Sequence, residues 1–183
     1  MSSGVDVVIL AEDENQRAFV RRHLRKRRFT HHRIYNAQWW PGCRAPGIEF
    51  VRHGYANEVR ELRRRNRISS ALIVAIDADD SLVSERIREL DELLVSDGQA
   101  RRHPDENIAI VIPKRNIETW FQFLAGNQVD EETDYKTLWK NVKPGESAQK
   151  FANLTWPRNQ LPDNCPPSLR QACEQELTRL PQP

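Results

Sequence analysis

Three short apolar runs punctuate the chain: residues 5–10 (VDVVIL), 71–76 (ALIVAI) and 108–112 (IAIVI). They are rich in β-branched residues and almost free of polar positions, the pattern of strands covered on both faces. Between them the apolar positions take up a helical period. Phe19, Val20 and Leu24 follow the first run, and Tyr55, Val59 and Leu62 precede the second. Val83, Ile87, Leu90 and Leu94 follow it, with Ser81 placed to cap that helix and Gly98 to end it. Ile117, Trp120, Phe121 and Leu124 then recur at i, i+3, i+4, i+7. A further short strand is predicted over 33–37, and the Pro- and Gly-rich segment 39–54 reads as a loop.

Strands alternating with helices predict βαβ units with right-handed crossovers. The expected fold class is α/β: a mainly parallel, Rossmann-like sheet of about four strands flanked by helices. This domain is expected to occupy residues 1–126. Beyond Gly126 the periodicity weakens, and residues 127–183 predict an irregular, helical C-terminal extension packed on the domain. Segment 154–167 contains Pro157, Pro162, Pro166 and Pro167, and Leu169, Cys173, Leu177 and Leu180 suggest a last short helix. There is no internal repeat.

A chain of 183 residues is long enough to remove roughly two thirds of its unfolded surface from water. Its hydrophobic fraction is 38% and its charged fraction 30%, so a heavily solvated surface surrounds that core. Net charge is only +2, but the basic residues cluster. Seven Arg or Lys and no acid lie in 15–28, and five Arg lie in 60–67. Arg17, Arg21, Arg22, Arg25, Arg63 and Arg64 are therefore candidates to face the backbone of a nucleic acid, although ordinary solvated helix faces have the same composition. Three cysteines without a CxxC pair argue against a disulfide framework or zinc ribbon and point to a reducing, cytoplasmic setting. No apolar stretch approaches the ~18 residues of a membrane span, and no signal peptide is recognisable.

Ligands of parallel sheets sit beyond the carboxyl ends of the strands. That edge receives Glu12, Asp13 and Glu14 from the first run and Asp77, Asp79 and Asp80 from the second; the third leads through Pro113 and Lys114 to Glu118. Residues two apart on an extended segment point the same way, so Asp77 and Asp79 are expected to converge. If the first two runs pair at about 4.8 Å, Glu12 reaches the same place. Carboxylates that close repel unless a cation neutralises them, and oxygen-only ligands favour Mg²⁺ or Mn²⁺. The expected metal ligands are Glu12, Asp77, Asp79 and Glu118. Lys114 is placed to offset charge on a phosphate. Acids at strand ends also cap helices, and a single such cluster would mean no more than that.

These residues resemble the Toprim superfamily, the metal-binding domain of topoisomerases, bacterial primases and several nucleases. That family has a glutamate ending its first strand and a DxD ending a later one, as in VVILAEDE (Glu12) and IVAIDADD (Asp77, Asp79). The segment IPKRNIETWFQFL, with Glu118 before Thr119 and Trp120, is similar to the corresponding stretch of small stand-alone Toprim proteins related to overcoming-lysogenisation-defect nucleases. The resemblance covers about residues 5–124; where the family usually has Gly after the glutamate, this chain has Asp13. It implies a Mg²⁺-dependent nuclease acting on DNA or RNA, with Glu12 as general acid/base or ligand and Asp77 and Asp79 holding the metal. It also implies a phage-defence setting, with an ATPase or other defence subunit as a partner.

Two other readings stand beside it. VVILAEDENQRAFVRRHLRK is similar to the start of a two-component receiver, in which Glu12 and Asp13 would bind Mg²⁺ and Asp77 would be phosphorylated. The 65-residue gap from Glu12 to Asp77, the Pro113 ending of the third run and the lack of a later strand ending in Lys-Pro weigh against it. A binding module that kept the fold without turnover would retain costly acids for no use. His31-His32, Trp39-Trp40, Cys43 and His53 are weaker signals, read as surface, anchoring or structural residues, with a phosphate contact open to His53.

Overall fold

The structure is a computed structural model that describes residues 4–38, 47–65, 69–138 and 143–183. Four strands, β1 (Asp6–Ala11), β2 (Ile34–Asn36), β3 (Ser70–Ala75) and β4 (Ile108–Val111), form one parallel sheet in the order β2-β1-β3-β4. The expected α/β class is thereby realised. The period of two along each strand sorts its residues onto two cores. Val7, Ile9, Ala11, Ala71, Ile73, Ala75, Ala109 and Val111 face one side, and Leu10, Leu72, Val74, Ile76, Ile108 and Ile110 the other. Both faces are covered, so the sequence runs show almost no polar alternation.

On the second face lie α2 (Ile48–Arg64) and α3 (Val83–Ser96). The first face carries α1 (Glu14–Lys26), α4 (Ile117–Ala125) and α5 (Pro144–Thr155). Its strands present small alanines, and the room is filled by Phe19, Trp120, Phe121 and Phe151. Phe19 stacks on Phe151 with centroids 5.5 Å apart and meets Phe121 at 5.6 Å.

Several local expectations are corrected. Of the loop expected over 39–54, residues 39–46 lie outside the described residues, and the chain is helical from Ile48, because Phe50, Val51, Tyr55 and Val59 form one apolar face. Ser81 does not cap α3; Leu82 is the capping position, and its backbone N–H donates to the Glu85 carboxylate at 3.0 Å. The last short helix is α6 (Pro167–Gln171), followed by a π turn over Ala172–Glu176 and a 3-10 turn over Leu177–Arg179. Helix α5 escaped the sequence reading altogether. Its signals were Pro144 at the first helical position and Glu146 in the first turn.

The extension belongs to the core. Phe151, Leu169, Ala172 and Leu177 share one cluster with β1, β3 and β4. A buried pair, Arg102 with Glu176, also seals the outer edge of β4: Arg102 Nη1 donates to the Ile108 carbonyl at 3.0 Å, and Glu176 Oε2 accepts from the Ile110 N–H at 2.8 Å. Phe151→Ala should therefore destabilise the whole protein by about 3–5 kcal/mol in denaturant unfolding, with a single transition for both segments. Two separate transitions would show instead that residues 127–183 fold on their own.

Candidate metal centre at the carboxyl edge

Ala11 pairs with Ala75, so Glu12 and Asp77 leave the sheet side by side. The pairing continues past the strands: the Glu12 N–H donates to the Ala75 carbonyl at 2.9 Å, and the Ala78 N–H to the Pro113 carbonyl at 2.9 Å. The Asp77 N–H donates to Glu12 Oε2 at 3.0 Å. Glu118, buried in the first turn of α4, completes a group delivered by three separate segments.

Two adjacent amides of α1 hold this group. Gln16 Nε2 donates to Asp77 Oδ1 at 2.8 Å while its Oε1 accepts the Glu12 N–H at 3.2 Å. Asn15 Nδ2 donates to Glu118 Oε1 at 3.1 Å. Asp13 caps the helix that carries them, accepting the Gln16 N–H at 2.8 Å. Neither amide was singled out in the sequence; their signal was position, one turn after a strand-end carboxylate.

Asp79 does not converge with Asp77 in the way an extended segment would bring it. Regular strand geometry ends at Ala75, the Ser81 N–H closes a turn onto the Ala78 carbonyl at 2.9 Å, and Asp79 is left-handed at φ 54°. Asp77 is fully buried, whereas the Asp79 side chain is 52% exposed at the mouth, 3.9 Å from Arg86. Buried Arg86 fixes the turn from beneath, donating to the carbonyls of Asp77 at 3.2 Å and Ala78 at 3.3 Å.

The lysine beside the carboxylates is Lys136, whose Nζ lies 3.5 Å from Asp77 Oδ2. It arrives on the segment after α4, held by Asn116 Nδ2 donating to Asp134 at 2.8 Å and by the Ser168 N–H donating to Glu131 at 2.9 Å. No periodicity marks that segment, so nothing in the sequence pointed to Lys136. Lys114 is largely buried and pairs with Glu132 of the same segment at 3.8 Å.

Burial raises the pKa of Glu12, Asp77 and Glu118, that of Asp77 well above the usual aspartate value. Their own charges add to it: Glu12, Asp13 and Glu118 act on Asp77, and Asp79 and Asp13 on Glu12. Burial opposes the charge on Lys136, yet Asp77, Glu118 and Glu12 together raise its pKa.

As the side chains lie, no trio of His, Cys, Asp or Glu among the described residues is gathered closely enough to hold a metal ion. The donor chemistry nevertheless fits a hard divalent cation. Every candidate ligand is a carboxylate; among the described residues, Glu118 Oε2 is buried without a hydrogen-bond donor, and buried Asp77 Oδ2 has no partner but the Lys136 ammonium at 3.5 Å.

The arginines divide. Arg63 grips buried Glu106 through two bonds of 2.7 and 3.0 Å, and Arg64 pairs with Glu61 at 3.2 Å. Both sit at the end of α2 that leads into β3, the sheet edge opposite Asp77. Arg21 bonds the Ile34 carbonyl at 2.9 Å and Asn36 at 2.7 Å, tying α1 to β2, and Arg17 pairs with Glu14. Arg22 and Arg25 are exposed on α1. His31 and His32 are exposed in a 3-10 turn, and His53 is exposed on α2, 3.5 Å from Glu49. Trp39, Trp40 and Cys43 lie outside the described residues. No helix among the described residues is long and apolar enough to cross a membrane. Comparison with protein families, with curated proteins and with solved structures finds no match to this chain.

Proposed function

We propose that Glu12, Asp77 and Glu118, with Asp79 at the mouth, hold Mg²⁺ or Mn²⁺, and that the protein is a metal-dependent phosphodiesterase acting on nucleic acid. One observation carries the reading: carboxylates from three segments meet at one edge, Asp77 and Glu118 buried and Glu12 partly so, with Glu118 Oε2 lacking any hydrogen-bond donor among the described residues and Asp77 Oδ2 facing only the Lys136 ammonium. A bound divalent ion supplies Lewis-acid stabilisation and a more acidic water. Glu12, only partly buried and with its pKa raised, is suited to take the proton of an attacking water. Asn15 and Gln16 orient the carboxylates, and half-exposed Lys136 is placed to meet a phosphate oxygen. The exposed Arg22 and Arg25 offer a salt-dependent contact to the backbone. The Toprim resemblance supports the same reading and adds a defence-system partner, such as an ATPase.

The test is incubation of the protein with DNA and with RNA, in Mg²⁺, in Mn²⁺ and in EDTA, alongside Mn²⁺ titration by electron paramagnetic resonance. Metal-dependent cleavage is expected, with bound Mn²⁺ lost on chelation. Absence of Mn²⁺ binding at neutral pH would overturn the reading. A receiver-like phospho-acceptor is the second reading, favoured by the lysine beside Asp77. Acetyl phosphate with Mg²⁺ would then add one phosphoryl group to Asp77, which mass spectrometry reads directly.

A further inference from the structure

The last turn of α1 and the residue that caps it bury two polar side chains, His23 and Arg27, that the carboxylate cluster does not use. His23 is 3% exposed and Arg27 7% exposed. Both line a cavity of about 520 Å³ bounded by Trp156 after α5 and by Cys173, Leu177 and Thr178 of the C-terminal turns. The Arg27 guanidinium lies 5.2 Å from the Trp156 ring and 5.9 Å from the Phe29 ring, and its Nη1 donates to the Leu177 carbonyl at 3.1 Å. Its Nε is buried without an acceptor, as is His23 Nδ1 without a partner. Among the described residues, no carboxylate forms an ion pair with Arg27. Glu174 at the rim is already taken, accepting from Asn159 at 2.9 Å and Arg170 at 3.3 Å.

A guanidinium does not shed its proton in a protein, and burying one without an anion is costly. Burial and the Arg27 charge depress the His23 pKa to about 3, so the neighbouring imidazole is neutral and contributes hydrogen bonding without charge. The volume lies within the range of small-molecule sites. We propose that this cavity binds a compact oxyanion, phosphate or carboxylate, carried by a small molecule, with Arg27 as its charge partner and His23 Nδ1 as a neutral hydrogen-bonding group. The site is separate from the carboxylate cluster: His23 lies about 10 Å and Arg27 about 16 Å along the α1 axis from Gln16.

The test is calorimetric titration of the full chain in EDTA, so that no metal bridges an anion to the carboxylates. Inorganic phosphate, adenosine monophosphate and benzoate serve as probes, distinguishing free phosphate, a phosphate monoester and a carboxylate. At least one is expected to bind with a dissociation constant of about a millimolar or tighter. Arg27→Met should weaken that binding about tenfold or more, whereas Arg28→Met, exposed next door, should leave it unchanged. Arg27 also holds the Leu177 carbonyl, so where Arg27→Met fails to fold, Thr178→Trp decides: a bulky ring at the exposed rim should block the cavity and abolish binding. The proposal is overturned if none of the three probes binds, or if binding survives Arg27→Met or Thr178→Trp. Because metal is absent throughout, none of these results depends on the phosphodiesterase reading.

Discussion

Asp77→Asn is expected to lower Mg²⁺-dependent cleavage by about a thousandfold while making the metal-free protein more stable by about 1–3 kcal/mol. Loss of activity alone would not distinguish a ligand from a structural residue; the opposite signs of the two effects do. Asp77 is fully buried, and Glu12, Asp13 and Glu118 all disfavour its charge. The amide is nearly isosteric, and its oxygen still accepts from Gln16 at the position where Asp77 Oδ1 does. Removing one member of a buried ion pair usually strands the other charge. Here the other member, Lys136, is 46% exposed and is solvated without Asp77. The relief of burying a repelled carboxylate therefore exceeds the loss of one half-exposed contact. Calorimetric unfolding in EDTA reads the stability and a cleavage assay the activity. A lower melting temperature would make Asp77–Lys136 a structural salt bridge, and wild-type cleavage would end the enzyme reading.

The parts legible in the sequence are those fixed by periodicity. The runs around Ile9, Ile73 and Ile110 are apolar at every position that either core needs, so strand identity followed directly, and Ile117, Trp120, Phe121 and Leu124 gave the face of α4. The parallel order brings Glu12 and Asp77 together, as strand-end reasoning expects. What escaped was long-range or conformational. Lys136 reaches the cluster through a segment shaped by side-chain bonds, Asp134 to Asn116 and Glu131 to Ser168, which leave no repeating pattern. The left-handed backbone of Asp79 is set by the Ala78–Ser81 turn, and alternation along a strand says nothing about it. Charge runs were the least informative feature. Arg63 lies in a basic run, yet it is committed to an acid more than forty residues away, Glu106, that sequence proximity does not reveal. Helix α5 was hidden because its buried face, Ser147, Ala148, Phe151 and Ala152, contains one large apolar residue.

The pH dependence of metal-free stability carries the same logic further, and its sign is opposite to that of most acidic clusters. A carboxyl whose folded pKa is raised binds its proton more tightly in the native state. Below its unfolded value, 3.8 for Asp77 and 4.5 for Glu12 and Glu118, both states are protonated and no penalty exists. As pH climbs from there through the raised folded values, the native state is forced to ionise and stability falls. His23 works in the other direction: with its pKa depressed from 6.5 to about 3, it adds stability as pH rises between those values. That contribution is common to wild type and Asp77→Asn, so it cancels in their difference. The stability gap favouring Asp77→Asn is therefore expected to be near zero at pH 4, to widen towards neutrality and to level off above the folded pKa of Asp77. Lys136, with its pKa raised above 10.5, loses its contribution only at still higher pH and leaves this window untouched. A divalent ion should reverse the trend, because it binds the deprotonated carboxylates and competes with their protons. Saturating Mn²⁺, at about a hundred times its dissociation constant, is expected to stabilise wild type by about 2–3 kcal/mol at pH 8 and to have little effect at pH 5. Asp77→Asn should respond weakly at both. The measurement is a grid of thermal unfolding curves over pH and Mn²⁺ for the two proteins. If Mn²⁺ stabilised both equally at pH 8, the ion would be binding elsewhere, and the buried carboxylates would need another role.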